Sequence, residues 1–579
     1  MKLIEALAIV RQNPRNEQRP FRVSLVCSFT PLHLQTFLQA FLLNVIPDRR
    51  IDVQSGLYGD FWGNLTCLNK GSLDAAVLAL EWSDLDPRLG LRSLGSWAPN
   101  VLEDIVRNVR TRSAQFLETA QDLAAIVPLS ISFPTLPFPP ISYTPGWRTS
   151  EVEACISSEI ATISAQLSRM KNVGVVSPSR LGVLSPAASR FDVRAEIVSG
   201  FPYKIPHACA VADLLVKNIR PVPLKKGLIT DLDDTLWSGI LGEVGVERVS
   251  WDLEHQSHMH GVYQKLLHSL TQSGALVGIA SKNDAKLVGQ ALNRNDILLS
   301  QASVFPIEAH WGPKSDSVAR VLKAWNIAAD EVVFVDDSPM ELAEVQSFHT
   351  AMECVLFPKE DPHAIEALLN RLRDLFGKNY LSEEDAIRRD SLRRAQETRP
   401  GQAIQGEVSG EFLKQSEAEL TFQFSKESLD PRALELVNKT NQFNLNGRRY
   451  GEREWQDFLH EPDLMLLVAS YKDKYGPLGK IAVLAGHLSG KILSLPVWVM
   501  SCRAFSRRIE HRCIEELFGR YDLEEIIFDF NSTSKNGPVR EFLKNVLGHE
   551  PTHGCRLSRK LFQDRKQETF QRVLELTNG

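Results

Sequence analysis

The sequence predicts a multidomain α/β protein with parallel sheets in its first two thirds and a mixed α+β region at its end. Its 579 residues are too many for one hydrophobic core. Up to about residue 378, apolar runs of strand length alternate with amphipathic runs of helix length, which predicts parallel sheets with helices on both faces. Beyond about residue 413, strand-length runs follow one another with few helices between them.

Composition and charge narrow the class of protein. The formal net charge of −5 argues against a broad surface for nucleic acid or membrane. We find no run of eighteen apolar residues and expect no membrane span. The N-terminal apolar run lacks the basic start of a signal peptide. The eight cysteines form no CxxC pair, which argues against a zinc site or a disulfide framework and favours the cytoplasm.

Residues 1–215 form the first predicted domain. Apolar runs at 21–29 and 75–82 predict buried strands, and the segments VGVVSP and RAEIVSG predict short ones. Residues 148–172 predict a helix. Strands and helices in this alternation predict a parallel sheet.

Residues 220–378 form the second predicted domain, a doubly wound α/β fold that begins with the strand of KKGLITDLDDTLW. Further strands, with helices between them, are predicted at 275–282, 332–338 and 351–358, and the helices at 256–273, 314–325 and 339–347. Residues 379–412 are charged and helix-prone and then lose periodicity, which predicts a helix followed by a linker.

Residues 413–579 form the third predicted domain. Strands are predicted largely in succession, in LTFQFS, LMLLVASYK, GKIAVLAG and KILSLPVWVMS. A helix in AFSRRIEHRCIEELFGR, a strand in EIIFDF and a helix in VREFLKNV complete this mixed α+β region.

Two carboxylates end the first strand of the second domain. Asp231 and Asp233 follow the apolar run of LITDLDDTLW, and two-residue periodicity points them the same way if the strand continues. Carboxylates side by side repel, so a cation is the natural partner for them. The alternative is a helix cap, since Asp and Thr often begin a helix after a strand.

Three later segments place further polar groups at strand ends or at the start of a helix. IASKND supplies the hydroxyl of Ser281, HWGPKSDS supplies the positive charge of Lys314, and VVFVDDSP supplies Asp336 and Asp337. Phosphoryl transfer depends mainly on positioning and on neutralising charge. These groups, added to the first two aspartates, suffice for that chemistry.

In this order the four segments, over about residues 224–358, resemble the four motifs of the haloacid dehalogenase (HAD) superfamily. The resemblance implies that Asp231 is the nucleophile, that Asp233 is the general acid and base, and that Ser281 and Lys314 hold phosphoryl oxygens. It also implies a Mg²⁺ site formed by Asp231, the backbone carbonyl of Asp233, and Asp337. Asp336 and Asn283 would support this site, and Asp234 would be a structural cap.

The chain also resembles one subfamily over most of its length. About 46 residues separate Asp234 from Ser281, which leaves room for a helix and a flap but not for a large cap domain. The segments DLDDTLWSGILGEVG, SKND and WGPKS resemble the FkbH-like subfamily. NKTNQFNLNGRRY, KDKYGPLG and MSCRAFSRRIE resemble that subfamily's GNAT-like acyltransferase domain, and the N-terminal domain resembles its degenerate SGNH-hydrolase-like domain.

The FkbH-like resemblance implies an enzyme that dephosphorylates 1,3-bisphosphoglycerate and transfers the glyceryl unit to the phosphopantetheine arm of an acyl carrier protein in polyketide biosynthesis. Its partners would be that carrier and a small acyl phosphate, with no nucleic acid and no membrane. One alternative is a small-metabolite phosphatase whose C-terminal domain is structural. The other is a non-catalytic adaptor for carrier proteins, which the full set of site residues disfavours.

The FkbH-like pattern includes a cysteine at this point, so the resemblance makes Cys502 the candidate acyl-transfer nucleophile. It lies where a predicted strand gives way to a helix, whose first backbone N–H groups would lower the pKa of a thiol. A half-buried structural cysteine is the alternative. This segment lacks the glycines with which acetyltransferases hold a pyrophosphate, so ordinary acetyl-CoA binding is doubtful. The nearby arginines could meet the phosphate of a carrier's arm or be solvated surface charge; they are Arg503, Arg507 and Arg508.

The remaining candidates carry weaker signals. The amide-rich run of Asn438, Asn441, Gln442 and Asn444 predicts either internal hydrogen bonds or ligand contacts. Lys535 and Asn536 precede the last long helix and could line an acyl site. In the first domain, we expect Ser28 to cap a helix, and His207 and Asp213 do not match a hydrolase spacing, so we expect a docking or scaffold role.

Overall fold

The computed structural model divides the chain into two units, residues Met1–Val222 and Pro223–Gly579, here called the first and second units. The described residues are 1–14, 19–68, 73–93, 99–138, 143–378, 413–414, 416–424, 431–474, 476–501, 504–505, 507–533 and 536–575. The predicted charged helix and linker at 379–412 lie outside them.

The first unit contains a parallel five-stranded sheet. Its strands are β1 (Phe21–Val26), β2 (Ile51–Ser55), β3 (Ala75–Ala79), β4 (Leu129–Ser132) and β5 (Val173–Val175). They lie side by side in the order β2-β1-β3-β4-β5, and every neighbouring pair is parallel.

Helices cover both faces of this sheet. They are α1 (Leu3–Arg11), α2 (Leu32–Val45), α3 (Phe61–Thr66), α4 (Trp82–Leu85), α5 (Leu102–Ala124), α6 (Glu151–Leu167), α7 (Pro178–Leu184), α8 (Val193–Ser199) and α9 (Ile205–Ile219). Successive residues of β3 point to opposite faces: Ala75 and Val77 belong to one buried cluster, and Ala76 and Leu78 to the other. The sheet is therefore buried on both sides, as its continuous apolar runs predict.

Two details of the first unit differ from the sequence prediction. The segment RAEIVSG is not a strand but most of helix α8, which Asp192 caps by accepting a hydrogen bond from the backbone N–H of Ala195. Gly200 ends this helix at a φ of 70°, a left-handed conformation that favours glycine. The predicted domain boundary at residue 215 falls inside helix α9, and the first unit ends instead at Val222.

The second unit begins with another parallel five-stranded sheet. Its strands are β6 (Gly227–Thr230), β7 (Leu276–Ser281), β8 (Ile307–Ala309), β9 (Val332–Asp336) and β10 (Glu353–Leu356). Their order is β10-β9-β6-β7-β8. The helices are α10 (Leu241–Val244), α11 (His258–Gln272), α12 (Ala285–Leu292), α13 (Lys314–Trp325), α14 (Pro339–Phe348) and α15 (Pro362–Phe376).

This second sheet is doubly wound, as predicted. Val333 and Val335 face a buried cluster that includes residues of α11, α12 and α15, whereas Val332 and Phe334 face a cluster that includes residues of α13 and α14. Residues 235–275 are described throughout and hold only α10 and α11 before β7, so no cap domain is inserted in this range.

The rest of the second unit is an eight-stranded mixed sheet. Its strands are β11 (Glu419–Gln423), β12 (Phe443–Asn444), β13 (Leu464–Asp473), β14 (Gly476–Ser489), β15 (Ile492–Met500), β16 (Glu525–Phe528), β17 (Cys555–Ser558) and β18 (Arg572–Glu575). The order is β17-β16-β15-β14-β13-β11-β18, and β12 pairs with the end of β15. The α-helices of this region are α16 (Pro431–Lys439), α17 (Glu452–Leu459), α18 (Ile509–Arg520), α19 (Gly537–Leu547) and α20 (Arg559–Arg565).

The predicted helix of AFSRRIEHRCIEELFGR is shorter than expected. It begins at Ile509, directly after Arg508, whose φ of 59° is left-handed.

Within the described residues, we find no helix that is both long enough and apolar enough to cross a membrane.

Candidate active site

Polar side chains converge where the strands of the second sheet end. Asp231 follows β6, Asp336 ends β9 and Ser281 ends β7. Strand β6 lies between β7 and β9, and the chain leaves it first toward β7 and later returns to its other side. The crevice at such a reversal is where open α/β sheets bind ligands. The topology therefore places the predicted site residues at a position suited to chemistry.

Lys314 lies at the centre of a buried group of carboxylates. Its side chain is 2% exposed, and its Nζ lies 3.0 Å from Oδ1 of Asp231 and 2.5 Å from Oδ2 of Asp336. It also forms an ion pair with Glu341. Glu341 also pairs with Lys282 at 3.1 Å, so three carboxylates face two ammonium groups, and one surplus negative charge remains if all three are ionised.

Burial and charge act in opposite directions on the pKa values of this cluster. Burial raises the pKa of Asp231 to about 7, although Lys314 acts to lower it. Burial also raises the pKa of Asp336. Burial would lower the pKa of Lys314, but its three carboxylate neighbours outweigh that effect and raise it. The lysine is therefore held charged while the two aspartates are costly to ionise together.

One oxygen of Asp231 is buried without a hydrogen bond. This Oδ1 atom forms an ion pair with Nζ of Lys314 at 3.0 Å, and no described residue gives it an aligned hydrogen bond. Asp231, Asp336 and Glu341 each bring one carboxylate oxygen to within 4.8 Å of the others, which is close enough to share a metal ion. Hard divalent cations prefer such oxygen ligands, so the residues present fit a metal of this kind.

Asp233 is held by three donors. Its Oδ1 accepts hydrogen bonds from Nε1 of Trp237 at 3.0 Å and from the backbone N–H of Leu241 at 3.1 Å. Its Oδ2 accepts one from Nδ2 of Asn283 at 2.9 Å. Trp237 and Leu241 are the partners that the sequence reasoning missed. Because these donors fix the carboxylate, it can give and take a proton at a defined position.

Asn283 connects two predicted site residues. Besides binding Asp233, its Nδ2 donates to Oγ of Ser281 at 3.2 Å. Both Asn283 and Ser281 are buried. The structure thus brings the predicted acid, hydroxyl and supporting amide together at one edge of the sheet.

Asp337 has a different surrounding from Asp336. Its Oδ2 lies 3.0 Å from Nζ of Lys359, and its Oδ1 accepts a long hydrogen bond from Thr235 at 3.5 Å. Asp234 also pairs with Lys359, at 2.6 Å, and accepts a hydrogen bond from the backbone N–H of Gly239. Asp234 therefore stabilises the turn after β6, and the role of Asp337 as a metal ligand stays a prediction.

Glu341 is the acidic residue that the sequence analysis did not single out. It lies in the first turn of α14, five residues after the end of β9, and it pairs with both Lys314 and Lys282. The segment VDDSPME could have indicated this residue. It predicts a helix start directly after β9, and a side chain in the first turn of that helix stays near the end of the strand.

The third-domain candidates are only partly within the described residues. Cys502, Arg503 and Lys535 lie outside them. Asn536 is buried and donates to the backbone oxygens of Asn444 and Asn531, which is a structural role.

The amide-rich run is hydrogen-bonded internally. Asn438 exchanges two hydrogen bonds with the backbone of Tyr450, and Asn444 accepts one from the N–H of Gly447. Asn441 donates to Glu331 at 2.9 Å. The sequence allowed either internal hydrogen bonds or ligand contacts for this run. For these three residues the structure shows internal hydrogen bonds.

A small cavity opens beside the start of α18. Its volume is about 240 Å³, and its walls include Phe443, Phe505 and Phe542. Glu510 lines it, and burial raises the pKa of this carboxyl to about 7. Oε2 of Glu510 is buried and has no hydrogen-bond partner among the described residues. The cavity could hold a small ligand next to a proton acceptor.

The first-unit candidates do not form a hydrolase triad. Helix α2 begins at Leu32 after Pro31, so the predicted capping role of Ser28 is wrong; its hydroxyl instead hydrogen-bonds with Asp84. His207 contacts Thr135 and Ser185. Asp213 pairs with Lys217 on the surface of α9.

Comparisons with known proteins show a shared fold. No protein-family profile and no curated protein matches the chain. A crystal structure of the N-terminal part of the protein BF1531 from Bacteroides fragilis, containing a phosphatase domain complexed with Mg, is 16% identical and has a TM-score of 0.52. That likeness covers 66% of this chain and 100% of that one, and it supports the observed α/β fold.

A second solved structure is more distant. An uncharacterized protein from Corynebacterium glutamicum ATCC 13032 Kitasato is 19% identical and has a TM-score of 0.19, over 27% of this chain and 98% of that one. At this TM-score the likeness supports no inference.

Proposed function

We propose that the chain is a Mg²⁺-dependent phosphatase of the HAD type, with Asp231 as its nucleophile. The observation that carries this proposal is the buried Oδ1 atom of Asp231, which lies just after a strand end with the ammonium of Lys314 3.0 Å away. A buried carboxylate beside a fixed cation can act as a nucleophile toward a phosphoryl group whose charge the same cation neutralises.

In the first half of the reaction, a carboxylate oxygen of Asp231 attacks phosphorus. The bond from phosphorus to the leaving oxygen breaks, and Asp233 gives that oxygen a proton. Lys314 and Ser281 contact the phosphoryl oxygens and oppose their negative charge. The product of this half is an aspartyl phosphate and the free leaving group.

In the second half, water attacks the phosphorus of the aspartyl phosphate and gives its proton to Asp233. The bond from phosphorus to Asp231 breaks, which releases inorganic phosphate and restores both carboxyl groups. Asn283 and Trp237 keep Asp233 in place through both steps.

Magnesium fits the oxygen-rich donor set, and the solved structure with the similar fold contains a phosphatase domain complexed with Mg. Bound there, it would supply positive charge to the phosphoryl group. Two ligand sets are available around Asp231. One is the predicted set with the carbonyl of Asp233 and with Asp337. The other uses Asp336 and Glu341, whose carboxylates pair with Lys314 in this structure, so the lysine would have to shift to admit the ion.

Metal titration separates these two sets. Asp337→Asn should weaken Mg²⁺ binding about tenfold or more if the first set is correct, and Glu341→Gln should do so if the second is. The measurement is calorimetric titration of each variant with Mg²⁺ alone. Unchanged affinity in both variants would exclude both sets.

We further propose that the second unit transfers a glyceryl unit from 1,3-bisphosphoglycerate to an acyl carrier protein. A thiol would attack the acyl carbon and displace one phosphate, and the phosphatase site would hydrolyse the remaining phosphate ester. The cavity of about 240 Å³ beside α18 supports this proposal, since it has room for a three-carbon acyl unit and a carboxyl that can accept a thiol proton.

The test of this transfer is the intact mass of a holo carrier protein after incubation with the enzyme, Mg²⁺ and 1,3-bisphosphoglycerate. The expected result is a gain of one glyceryl or phosphoglyceryl mass. Across all cognate carriers, an unchanged mass together with normal phosphate release would favour the small-metabolite phosphatase. No phosphate release from any substrate would favour the non-catalytic adaptor.

The variant Cys502→Ala tests the nucleophile. If Cys502 carries the acyl unit, this variant loses carrier loading and the phosphate that its thiol displaces, but it keeps the hydrolysis of phosphate esters at the phosphatase site. If loading is intact, the thiol of the carrier arm attacks directly and the role assigned to Cys502 is wrong.

A further inference from the structure

The first unit contains a cavity of about 630 Å³ at the carboxyl edge of its sheet. Ser28 follows β1 and Glu81 follows β3, and both line this cavity. The chain passes from β1 to β2 on one side and reaches β3 on the other, so the order reverses between β1 and β3. This is the position at which open α/β sheets bind small molecules, and the volume is in the range of such sites.

The walls of this cavity are largely apolar. The rings of Trp82 and Phe138 lie 4.1 Å apart, and Leu89 and Leu136 extend the same lining. The indole N–H of Trp82 is satisfied by the backbone oxygen of Leu136 at 2.9 Å, so its ring position is fixed. A flat or aliphatic group would find a preformed apolar surface here.

The polar part of the lining offers acceptors. Asp84 is 7% exposed, and its carboxylate accepts hydrogen bonds from the backbone N–H of Glu81 at 2.8 Å and from Ser28. A carboxylate has about four acceptor positions, so both oxygens can take a further donor. Glu81 itself is already bound by Tyr203 and Thr135 and serves the fold.

Positive charge at the cavity is already neutralised. Arg92 lines it, but its Nε lies 3.1 Å from Oε1 of Glu196. His207 is buried, faces Thr135 and Ser185, and has its pKa lowered to about 3 by burial, so it is neutral. An anionic ligand would therefore meet two buried carboxyl groups without a free cation among the described lining residues.

We propose that this cavity binds a small, partly apolar molecule carrying a protonated amine, with the amine on Asp84 and Ser28 and the apolar part against Trp82 and Phe138. Burial raises the pKa of Asp84 to about 6, so the carboxylate is ionised at neutral pH. The site is independent of the phosphatase chemistry, because every residue that forms it belongs to the first unit.

Three matched probes test the chemical class on the full-length protein: 1-naphthylmethylamine, 1-naphthalenemethanol and 1-naphthoate. They share one ring system and differ in charge. By calorimetry or ligand-observed NMR at pH 7.5, the amine should bind most tightly, with the anion weaker by about tenfold or more. Equal affinity for the anion, or no binding of the amine, overturns the proposal.

Two substitutions on helix α8 locate the binding. Val193 lines the cavity and is 48% exposed, so Val193→Trp should obstruct it and weaken amine binding about tenfold without touching the core. Val198→Trp is the matched control, since Val198 is 78% exposed on the same helix and is outside the lining. If both variants bind the amine like the unsubstituted protein, the probe binds elsewhere and the proposal is wrong.

The variant Asp84→Asn tests the anchor. It should bring amine affinity down to that of the alcohol while the alcohol still binds, because the apolar walls remain. Phosphate release should not change. An undiminished preference for the amine would overturn the role of Asp84.

Discussion

At the scale of single residues, Lys314 has the most demanding environment of the candidate site. It is buried among three carboxylates, two of which are themselves almost completely buried. Replacing it by methionine keeps much of its volume but leaves those carboxylates uncompensated. We expect Lys314→Met to lower the free energy of unfolding by about 3–5 kcal/mol and to abolish phosphate release. Urea unfolding in EDTA, followed by tryptophan fluorescence, measures the first effect.

Lys359→Met is the control for this prediction. Lys359 also pairs with two aspartates, Asp234 and Asp337, but its side chain is 36% exposed. Its loss should lower stability by no more than about 1 kcal/mol. Equal losses of stability in the two variants would show that burial does not distinguish these lysines.

Asp231→Asn is predicted to separate activity from stability. The variant replaces the nucleophilic carboxylate by a neutral amide, so phosphate release should fall at least about a thousandfold. It also removes a buried charge beside Asp336, whose ionisation burial already opposes. The metal-free variant should therefore unfold at the same urea concentration as the unsubstituted protein or at a higher one. A large loss of stability would mean that Lys314 depends on the charge of Asp231.

His207 predicts a pH dependence in the first unit. Burial lowers its pKa in the folded chain to about 3, from an ordinary value of 6.5. Between these values only the unfolded chain takes up the proton, so this histidine makes stability fall as the pH drops from about 6.5 toward 3. Glu81 acts in the opposite direction, because burial raises its pKa to about 7.

The contribution of His207 is isolated by the variant His207→Gln. The difference in unfolding free energy between the unsubstituted protein and this variant should shrink as the pH is lowered from 7 to 4. Urea titrations at each pH give this difference. A difference that grows toward low pH would show that the folded chain binds the proton.

At the scale of elements, helix α13 is held close to its sheet by two glycines. A methyl group added at Gly227 on β6 would lie 2.5 Å from Cζ3 of Trp325, and one added at Gly278 on β7 would lie 2.9 Å from Cζ2 of the same ring. Trp325 is fully buried near the end of α13, and its indole N–H donates to the backbone oxygen of Phe305 at 2.7 Å. Lys314 is the first residue of that helix, so the glycines also determine where the lysine lies.

Gly227→Ala should therefore lower stability by about 1–3 kcal/mol and reduce the rate of phosphate release, because Trp325 must shift and α13 with it. In a Trp325→Leu background the same substitution should cost clearly less, which a double-mutant cycle of urea unfolding measures. Gly289→Ala on α12 is the control, since a methyl group there meets nothing within 4 Å and should leave stability equal or slightly higher. Additive effects in the cycle would contradict the steric explanation.

Helices and strands with strong periodicity could be predicted from the sequence. Helix α13 begins at Lys314 and ends at Trp325, as expected, because its apolar spacing is regular and Asn326 follows in a left-handed conformation that ends the helix. The error at α8 arose because Ala195, Ile197 and Val198 suggested a strand, although Ile197 and Val198 are exposed. Its Asp cap and terminal glycine were the better signals, since they fix the backbone at both ends.

The candidate site could be predicted at strand ends and less well elsewhere. Asp231, Ser281 and Asp336 follow from the rule that parallel strands present their carboxyl ends at one edge. Glu341 and the contacts of Trp237 with Asp233 depend on how a helix and a turn pack over that edge. The spacing of residues in the sequence does not show how the helix and the turn pack, so the contacts of Glu341 and Trp237 could not be predicted from the sequence alone.

At the scale of the whole molecule, the two parallel sheets share one topological feature, but different side chains lie beside it. Both reverse their strand order beside their first strand, and both place carboxyl groups there. In the second unit a buried lysine pairs with the carboxylates of Asp231 and Asp336. In the first unit no comparable lysine lines the described cavity, and apolar walls surround the acids instead. This difference is why we propose phosphoryl chemistry for the crevice of the second unit and amine binding for that of the first.

This division predicts that residues 223–579 work without the first unit. Every side chain of the candidate phosphatase site belongs to that range, and the sheets within it have buried clusters of their own. A fragment of residues 223–579 should fold and release phosphate from p-nitrophenyl phosphate with a kcat/KM within about threefold of the full chain. Amine binding should be lost with the first unit. Circular dichroism establishes that the fragment is folded, and a folded fragment with more than about tenfold lower kcat/KM would show that the first unit contributes to the phosphatase reaction.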